Sequence, residues 1–252
     1  MRYVVDGDSD HDEVVVLVHG VGSDLTAWDR IAAELAHRAV VVRYDLPGHG
    51  RSTPRKSTVD DLVEDHVELL RHLAVPRAHL VGFSLGGLVA QAVALAHPEV
   101  VDRLVLIGTV AGRTPAERER VLARLEGVRR DGPGAGDASR WFTDDFRRRE
   151  PDAVARNLKR TAETDPESYL SAYTVLATTD FADRLPLISA PTLAMTGSDD
   201  VGSPPHMAEL IAARVQDGRH LVLDGYKHGV LDEAPLVIAG ETAKFLFEGE
   251  DR

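Results

Sequence analysis

The chain of 252 residues contains no cysteine, which excludes disulfide bonds, thiolate nucleophiles and zinc sites built from cysteine. It also lacks any apolar run near the roughly 18 residues of a membrane-spanning helix, since stretches such as Val14–Val18 are only strand-length. The first twelve residues are acidic where a secretory signal peptide would be basic and then apolar. These absences predict a cytoplasmic protein that neither spans a membrane nor depends on disulfides.

Basic residues are outnumbered by acidic ones, with 29 Lys and Arg residues against 41 Asp and Glu residues, which gives a net charge of −12. A polyanion would have to bind a local basic patch against that field, so nucleic acid is not an expected partner. The hydrophobic fraction of 43% and the charged fraction of 28% are typical of a folded globular protein. The length predicts one large domain or one domain with an insert.

Short β-branched runs alternate along the chain with segments of helical periodicity. Val14–Val18 has the continuous apolar character of a strand buried on both faces of a parallel sheet, and similar runs follow at 39–44, 79–81, 104–107, 192–196 and 221–223. Predicted helices lie between them at 26–36, 59–73, 85–96, 206–214 and 236–247. Repeated βα units predict an α/β fold with a doubly wound, mostly parallel sheet and ligands beyond the carboxyl ends of its strands.

The alternation stops between Ile107 and Thr192, where four predicted helices follow one another at 115–130, 139–149, 151–164 and 166–178. A Gly/Pro-rich break at 131–136 separates the first two. About 70 residues without a strand are too many for a simple crossover. The chain is therefore predicted to form an α/β core of residues 1–111 and 185–252, with residues 112–184 inserted as a helical cap over the carboxyl edge of the sheet.

The sequence Gly82-Phe83-Ser84-Leu85-Gly86 fits the pattern G-x-S-x-G, in which a serine between a strand and a helix is a nucleophile. Its context agrees, because it follows the apolar run 79–81 and opens the predicted helix 85–96. Such a turn forces the serine backbone into a rare conformation and needs small neighbours, which Gly82, Gly86 and Gly87 supply. We therefore expect Ser84 to be a catalytic nucleophile.

A serine hydroxyl reacts only when a histidine takes its proton, and a carboxylate must orient that histidine. In this kind of fold the chain order is Ser, then acid, then His, each at the carboxyl end of a strand. His228 follows the predicted strand 221–223 and is the expected base. Asp199 and Asp200 both follow the strand 192–196, and Asp200 is preferred as the orienting acid.

A tetrahedral intermediate also needs hydrogen-bond donors for its oxyanion. The backbone N–H of Leu85, at the start of the helix after the serine, is one candidate. The N–H of Val21, in the flexible loop His19–Gly22 after the first buried strand, is the other. His19 itself is interpreted as a brace for that turn. The mechanism requires no metal ion and no organic cofactor.

Taken together, these motifs resemble the α/β-hydrolase fold family over nearly the whole chain: His19–Gly22, Asp45–Ser52, the serine turn, Gly197–Pro204 and His228. The resemblance implies that Asp45–Ser52 is a mainly structural loop beside the active site. A finer similarity, to 3-oxoadipate enol-lactonases, rests on Trp141-Phe142-Thr143, Phe146-Arg147, Thr164–Tyr169, Asp180 and Ala190–Leu193. Those enzymes open an enol-lactone that bears a free carboxylate. The chain departs from them in Gly229 and in a short N-terminus, which leaves room for one strand before Val14 and suggests a lost edge strand.

The predicted cap offers candidates for substrate binding. Trp141, Phe142 and Phe146, with Tyr169 and Tyr173, are candidates to line an acyl or lactone pocket, although their helical spacing is also typical of a cap core. An arginine such as Arg140 or Arg147 could bind a substrate carboxylate in a bidentate manner. Because 13 arginines lie in this segment, the sequence does not select one.

The sequence thus predicts a serine hydrolase that cleaves a small carboxylic ester or lactone through an acyl-enzyme. Three alternatives stay open at this stage. A cofactor-free haloperoxidase or perhydrolase and a carbon–carbon bond hydrolase would use the same three side chains, and a ligand-binding receptor would keep them while signalling through cap movement. The oligomeric state is not predicted.

Overall fold

A seven-stranded sheet forms the centre of the molecule. The computed structural model describes residues 1–133 and 138–247, and its strands are β1 (Tyr3–Asp6), β2 (Val14–Val18), β3 (Val40–Tyr44), β4 (Ala78–Phe83), β5 (Val101–Ile107), β6 (Thr192–Gly197) and β7 (Gly218–Leu223). Their order in the sheet is β1-β3-β2-β4-β5-β6-β7. Strand β1 is antiparallel to β3 and every other neighbouring pair is parallel. The predicted mostly parallel α/β sheet is confirmed.

Helices flank this sheet and fill the segment between β5 and β6. Those of the described residues are α1 (Asp29–Leu35), α2 (Val59–His72), α3 (Leu85–Ala96), α4 (Pro115–Asp131), α5 (Asp144–Arg149), α6 (Pro151–Glu163), α7 (Pro166–Thr178), α8 (Pro205–Arg214), α9 (Val230–Glu233) and α10 (Pro235–Phe247). Short 3₁₀ helices lie at Leu25–Trp28, Pro98–Val100, Ala138–Arg140 and Leu185–Leu187. None of the described helices combines the length and apolarity needed to cross a membrane.

The side chains of β2 show how both faces of the sheet are covered. Val16 and Val18 belong to a buried cluster with residues of α2, α3 and α8, whereas Val15 and Leu17 belong to a second cluster with residues of α1 and α10. Successive strand residues point to opposite faces, so a strand buried on both faces must be apolar throughout. This explains why the strands of the core were recognisable as continuous β-branched runs.

The inserted segment, residues 112–184, does not have a core of its own among the residues that the structure describes. Leu125 of α4 and Tyr169 and Val175 of α7 belong to the same buried cluster as Val18 and Leu88. Helices α4 and α7 also pack against each other, and α7 contacts α3. The insert is thus built onto the sheet, while its role as a cap over a substrate stays a prediction.

Several predicted boundaries differ from the structure for local reasons. The helix predicted at 139–149 is a 3₁₀ turn followed by α5, because Thr143 caps α5 by accepting a hydrogen bond from the N–H of Phe146. The helix predicted at 26–36 likewise begins as a 3₁₀ turn, capped by Asp24. One strand, β1, precedes Val14, and the short helix α9 was not predicted. Residues 134–136 of the predicted Gly/Pro break lie outside the described residues.

Candidate active site

Ser84 lies at the sharp turn between β4 and α3. Its backbone has φ 54° and ψ −114°, a combination that costs a non-glycine residue about 1–3 kcal/mol. Two hydrogen bonds hold this conformation: the N–H of Ser84 donates to the carbonyl of Ile107 at 2.9 Å, and its carbonyl accepts from Thr109 Oγ1 at 2.7 Å. The side chain is therefore presented beyond the carboxyl end of β4 by a rigid, strained turn.

The neighbouring glycines are required by close backbone contacts. A Cβ atom on Gly82 would lie 2.3 Å from the carbonyl oxygen of Gly86, and one on Gly86 would lie 2.1 Å from the carbonyl oxygen of Val18. The first atom belongs to α3 and the second to β2, so neither can move without distorting one of these elements. The small neighbours expected around Ser84 thus have a direct steric cause.

His228 and Asp200 form a close pair at the ends of β7 and β6. The distance between His228 Nδ1 and Asp200 Oδ2 is 2.6 Å. The other oxygen of Asp200 accepts hydrogen bonds from the N–H groups of Gly202 at 2.8 Å and Ser203 at 2.9 Å. Burial raises the pKa of Asp200, but the charge and hydrogen bond of His228 and the two N–H donors outweigh it and hold the pKa below its usual value.

The structure distinguishes the two candidate acids. Asp200 is 2% exposed and faces His228, whereas Asp199 is exposed and accepts a hydrogen bond from Ser198 Oγ at 3.1 Å. The contact with Asp200 occupies His228 Nδ1, so Nε2 is the ring nitrogen available to a substrate. The geometry favours Asp200 as the orienting acid.

Ser84 and His228 line one cavity of about 680 Å³, which we call the main cavity. Its walls come from the loops at the carboxyl ends of the strands and from helices α4, α6 and α7 of the inserted segment. Val21 also lines it, and Leu85 begins α3, whose first N–H groups have no partner within the helix. Of the two predicted oxyanion donors, Val21 therefore lines the cavity itself, and Leu85 directly follows the cavity-lining Ser84.

His19 is a brace in this structure. Its Nδ1 lies 2.8 Å from the carbonyl oxygen of Gly20, and its Nε2 accepts a hydrogen bond from the N–H of Leu46 at 3.0 Å. These partners place the ring proton on Nδ1. Burial lowers the pKa of His19 to about 4, so the ring is neutral at pH 7. The side chain ties the Val21 loop to the loop after β3, in agreement with the interpretation from sequence.

The three aromatic residues predicted to bind substrate are placed differently. Trp141 lines the main cavity, and its ring contacts that of His228 with centroids 4.8 Å apart. Phe142 and Phe146 are buried, stack on each other at 5.3 Å, and are not among the described residues that line this cavity. A Cβ atom on Gly229 would lie 2.4 Å from Phe142 Cε1, so the glycine after the histidine makes room for Phe142. Phe142 and Phe146 pack as core, and the geometry does not support their role in substrate binding.

The structure also distinguishes the two arginines that the sequence suggested as carboxylate ligands, Arg140 and Arg147. Arg147 forms an ion pair with Asp144 at 2.7 Å and does not belong to the described lining of the main cavity, whereas Arg140 does. The cavity wall also contains Arg113, Arg120 and Arg124, which the sequence did not single out. The guanidinium of Arg113 already has protein partners, because it donates hydrogen bonds to the carbonyls of Leu176 at 2.7 Å and Thr179 at 3.3 Å.

Arg124 is the half-buried cation of this wall. Within residues 1–133 and 138–247 no carboxylate pairs with it, and it lies close enough to Tyr169 and Tyr173 for its charge to favour their ionised forms. Burial outweighs this effect and raises the pKa of Tyr169 to about 12. Arg124 shares one face of α4 with Val121 and Val128, which also line the cavity at helical spacing.

One group with the spacing of metal ligands lies elsewhere. Of the described residues, Glu13, His79 and Asp102 bring their ligand atoms within 4.8 Å of one another. They lie at the amino ends of β2, β4 and β5, the edge opposite to Ser84. Asp102 is already paired with Arg77 at 3.0 Å, so this cluster takes no part in the candidate active site.

Residues 13–235 match the family model described as alpha/beta hydrolase fold. The chain belongs to the α/β-hydrolase fold family. The family assignment covers the serine turn and the Asp200–His228 pair, because all three residues lie within the matched range. Family membership also agrees with the resemblance noted from the motifs.

Several characterised relatives are hydrolases. The chain is 30% identical over 233 residues to (E)-2-((N-methylformamido)methylene)succinate hydrolase of Acinetobacter baylyi, covering 88% of this chain and 86% of that protein. It is 31% identical over 205 residues to 3-oxoadipate enol-lactonase 2 of the same species, covering 79% and 76%. The crystal structure of the enol-lactonase from Burkholderia xenovorans superimposes with a TM-score of 0.84 at 27% identity, covering 97% of this chain and 95% of that one.

Proposed function

We propose that this α/β hydrolase is a serine hydrolase that cleaves a carboxylic ester or lactone. Ser84 is the nucleophile, His228 the general base and Asp200 the group that orients the base. The observation that carries the proposal is the 2.6 Å contact between Asp200 and His228 Nδ1, in a cavity that both His228 and the strained Ser84 line. Such a pair turns a poor nucleophile into a reactive one.

The reaction begins when Ser84 Oγ bonds to the substrate carbonyl carbon and its proton passes to His228 Nε2. The carbonyl oxygen becomes an oxyanion, which accepts hydrogen bonds from the N–H groups of Leu85 and Val21. The tetrahedral intermediate then expels the alkoxide or enolate, to which His228 returns the proton. A lactone opens at this step and its leaving group remains tethered to the acyl group.

Residues 112–184 act in this proposal as a cap that closes the main cavity. Helices α4, α6 and α7 supply the walls above Ser84, and Trp141 contacts the ring of His228. A wall of this kind excludes bulk water and strengthens the hydrogen bonds within the cavity. The cap thereby selects the substrate, while the loops of the core perform the reaction.

The substrate class that fits this wall is a lactone or ester with a free carboxylate. Arg124 offers a half-buried guanidinium without a carboxylate partner among the described residues, beside Tyr169 and Tyr173. A guanidinium binds a carboxylate through two parallel hydrogen bonds. The names of two relatives, a succinate-derivative hydrolase and an enol-lactonase of 3-oxoadipate, agree with an acidic substrate.

The nucleophile is tested with an activated ester such as p-nitrophenyl acetate. The wild-type protein is expected to release a burst of p-nitrophenol and to gain the mass of one acyl group on Ser84. Ser84→Ala is expected to lose the burst and to lower turnover by about 10⁴- to 10⁶-fold. Ser9→Ala, at an exposed turn before β2, is the control and should behave as wild type. A burst that persists in Ser84→Ala would show that another residue is the nucleophile.

The substrate class is tested by comparing carboxylate-bearing lactones with neutral lactones and esters of the same size. We expect a higher kcat/KM for the carboxylate-bearing series. Equal values for the two series would remove the acidic-substrate proposal while leaving the mechanism intact. A peroxide-dependent activity that exceeds hydrolysis would instead favour a perhydrolase.

A further inference from the structure

Two further cavities lie near the main cavity, which Ser84 and His228 line. The main cavity shares Val21, Trp141, Asn157 and Thr161 with a small pocket of about 20 Å³, which we call the inner pocket. The inner pocket in turn shares Ala27, Leu231 and Asp232 with a hollow of about 620 Å³ on the far side, which we call the outer hollow. The shared lining residues place the inner pocket between the main cavity and the outer hollow.

The inner pocket has the size and the lining of a site for one water molecule. A cavity needs roughly 10–15 Å³ of this kind of volume to hold a water, together with two or more polar partners. Ser23, Asn157, Thr161 and Asp232 provide such groups around a volume of about 20 Å³. The rest of the lining is largely apolar, as at Phe83 and Leu231, so these polar side chains supply the partners that a water molecule needs.

The wall towards the outer hollow is a hydrogen-bonded contact. The amide of Asn157 donates to Asp232 Oδ2 at 3.3 Å, and Arg160 lies 3.5 Å from Asp232 Oδ1. Arg160 and Asp232 both line the outer hollow, and Asn157 and Asp232 both line the inner pocket. The contact between α6 and α9 therefore lies between the two volumes.

The wall towards the active site consists of the two aromatic side chains that contact the base. The ring of Phe83 lies 5.0 Å from that of His228, and the ring of Trp141 lies 4.8 Å from it. Both residues line the inner pocket. A molecule in the inner pocket is therefore adjacent to the immediate surroundings of His228.

We propose that the inner pocket holds and delivers the water that hydrolyses the acyl-enzyme, with the outer hollow as its source. The proposal rests on the function proposed above, because it concerns the second half of that reaction. While an acyl group is attached to Ser84, it lies in the main cavity, and the inner pocket adjoins that cavity without being part of it. In this proposal water passes from the inner pocket into the main cavity beside Trp141, whose ring contacts that of His228.

The step balances without any further reactant. The water oxygen bonds to the acyl carbon as one water proton passes to His228 Nε2. The bond between the acyl carbon and Ser84 Oγ then breaks, and Ser84 Oγ takes the proton back from His228. The products are a carboxylic acid and the free enzyme.

Ala27 allows the path to be blocked away from the substrate. This half-buried residue lines the inner pocket and the outer hollow, and it is not among the described residues that line the main cavity. In Ala27→Leu the added atoms fill the volume meant for water. We expect deacylation, followed as the loss of acyl-enzyme mass after single turnover, to slow by about tenfold or more. The rate of the burst should not change.

Steady-state kinetics give a second readout that a general structural defect would not produce. When only deacylation slows, kcat and KM fall together and kcat/KM stays at the wild-type value. Ala27→Ser, which keeps a small polar side chain, is the matched control and should deacylate at the wild-type rate. Ala153→Leu, which fills only the outer hollow, should also retain that rate.

The outcomes separate this proposal from the function on which it rests. If the wild-type protein forms no acyl-enzyme, the serine-hydrolase proposal is wrong. If acyl-enzyme forms and Ala27→Leu deacylates as fast as wild type, only the water path is wrong. Should Ala27→Leu melt at a much lower temperature, Ala27→Val introduces a smaller obstruction, and an unchanged deacylation rate in that variant overturns the path equally.

Discussion

The loops at the carboxyl edge of the sheet and the inserted segment above them are built in different ways. In the loops, backbone hydrogen bonds hold the Ser84 turn and the Asp200 carboxylate, which accepts from the N–H groups of Gly202 and Ser203. In the inserted segment, cavity-lining side chains project from helices that also expose large apolar residues, such as Leu122 at 41% and Leu158 at 38%. In the proposed function, the loops perform the reaction and the helical wall selects the substrate.

The largest expected effect separates the two aspartates of the core. Asp200→Asn should lower kcat by about 10⁴-fold on every substrate, because the amide no longer stabilises the protonated His228 or the correct ring tautomer. Asp199→Asn, at the exposed neighbouring position, is the matched control and should change kcat less than twofold. Steady-state hydrolysis of a neutral and an acidic ester measures both. A greater loss in Asp199→Asn would contradict the assignment of the acid.

Between pH 7 and pH 4.5 the free energy of unfolding should vary through the buried histidines of the core, because the inserted segment contains no histidine. Burial lowers the pKa of His66 to about 4, below its value of 6.5 in an unfolded chain. The unfolded state therefore binds the extra proton first, and stability is lost as pH falls from 6.5 to 4, by about 3 kcal/mol for this group. His66→Leu should remove that share of the pH dependence, measured by urea unfolding at pH 7 and pH 4.5.

A matched control for this test is the exposed His220 of β7. His220→Leu should keep the pH dependence of wild type. His66→Leu also loses a contact with the hydroxyl of Tyr44 at 3.3 Å, so the change in free energy of unfolding between the two pH values is compared, and not its value at pH 7 alone. If that change is the same in His66→Leu and wild type, burial does not lower the pKa of His66 in the folded protein.

A change in the wall of the main cavity should affect some substrates and not others. Arg124→Gln is expected to lower kcat/KM for a carboxylate-bearing lactone by about 10- to 100-fold, the value of a charge-assisted hydrogen bond pair. A neutral lactone of the same size should be hydrolysed at the wild-type rate. Arg147→Gln, outside the described lining, is the control. An equal loss on both substrates would mean that Arg124 supports the fold and does not recognise a carboxylate.

The smallest expected effect is a gain in stability from two Gly→Ala changes, and it tests whether the inserted segment unfolds together with the core. A Cβ atom on Gly127 of α4 or on Gly240 of α10 would meet nothing within 4 Å, so each Gly→Ala change should stabilise by about 0.5–1 kcal/mol through helix propensity. Because Leu125 belongs to the main buried cluster, we expect one unfolding transition and equal gains. A gain confined to Gly240→Ala would show that the segment opens independently.

The core was largely predictable because strand ends carry strong local signals. Continuous β-branched runs identified β2 to β7, and Ser84, Asp200 and His228 each follow one of them. Parallel strands bring their carboxyl ends to one edge of a sheet, so chain order alone placed these residues together. Whether they form a catalytic triad stays a proposal, although the contact of Asp200 with His228 has the expected geometry.

The inserted segment was predicted as a helical cap, but the sequence did not show which of its side chains line a cavity. Amphipathic periodicity identifies helices but does not say whether an apolar face meets a cavity or another helix. Phe142 and Phe146 therefore had the same signal as Trp141, and only their packing against Gly229 and against each other separates them. Arg124 was missed for the same reason, since one arginine among many carries no signal until the cavity is known.

The backbone link between Gly229 and the inserted segment has a consequence for how such proteins diversify. The N–H beside His228 donates to the carbonyl of Trp141 at 2.7 Å, and the amine of Lys227 donates to the carbonyl of Ser139 at 2.7 Å. If the inserted segment selects the substrate as proposed, an insert taken from a relative would change these two hydrogen bonds together with the cavity wall. Such an exchange would then alter the position of the imidazole as well as the preference for substrate.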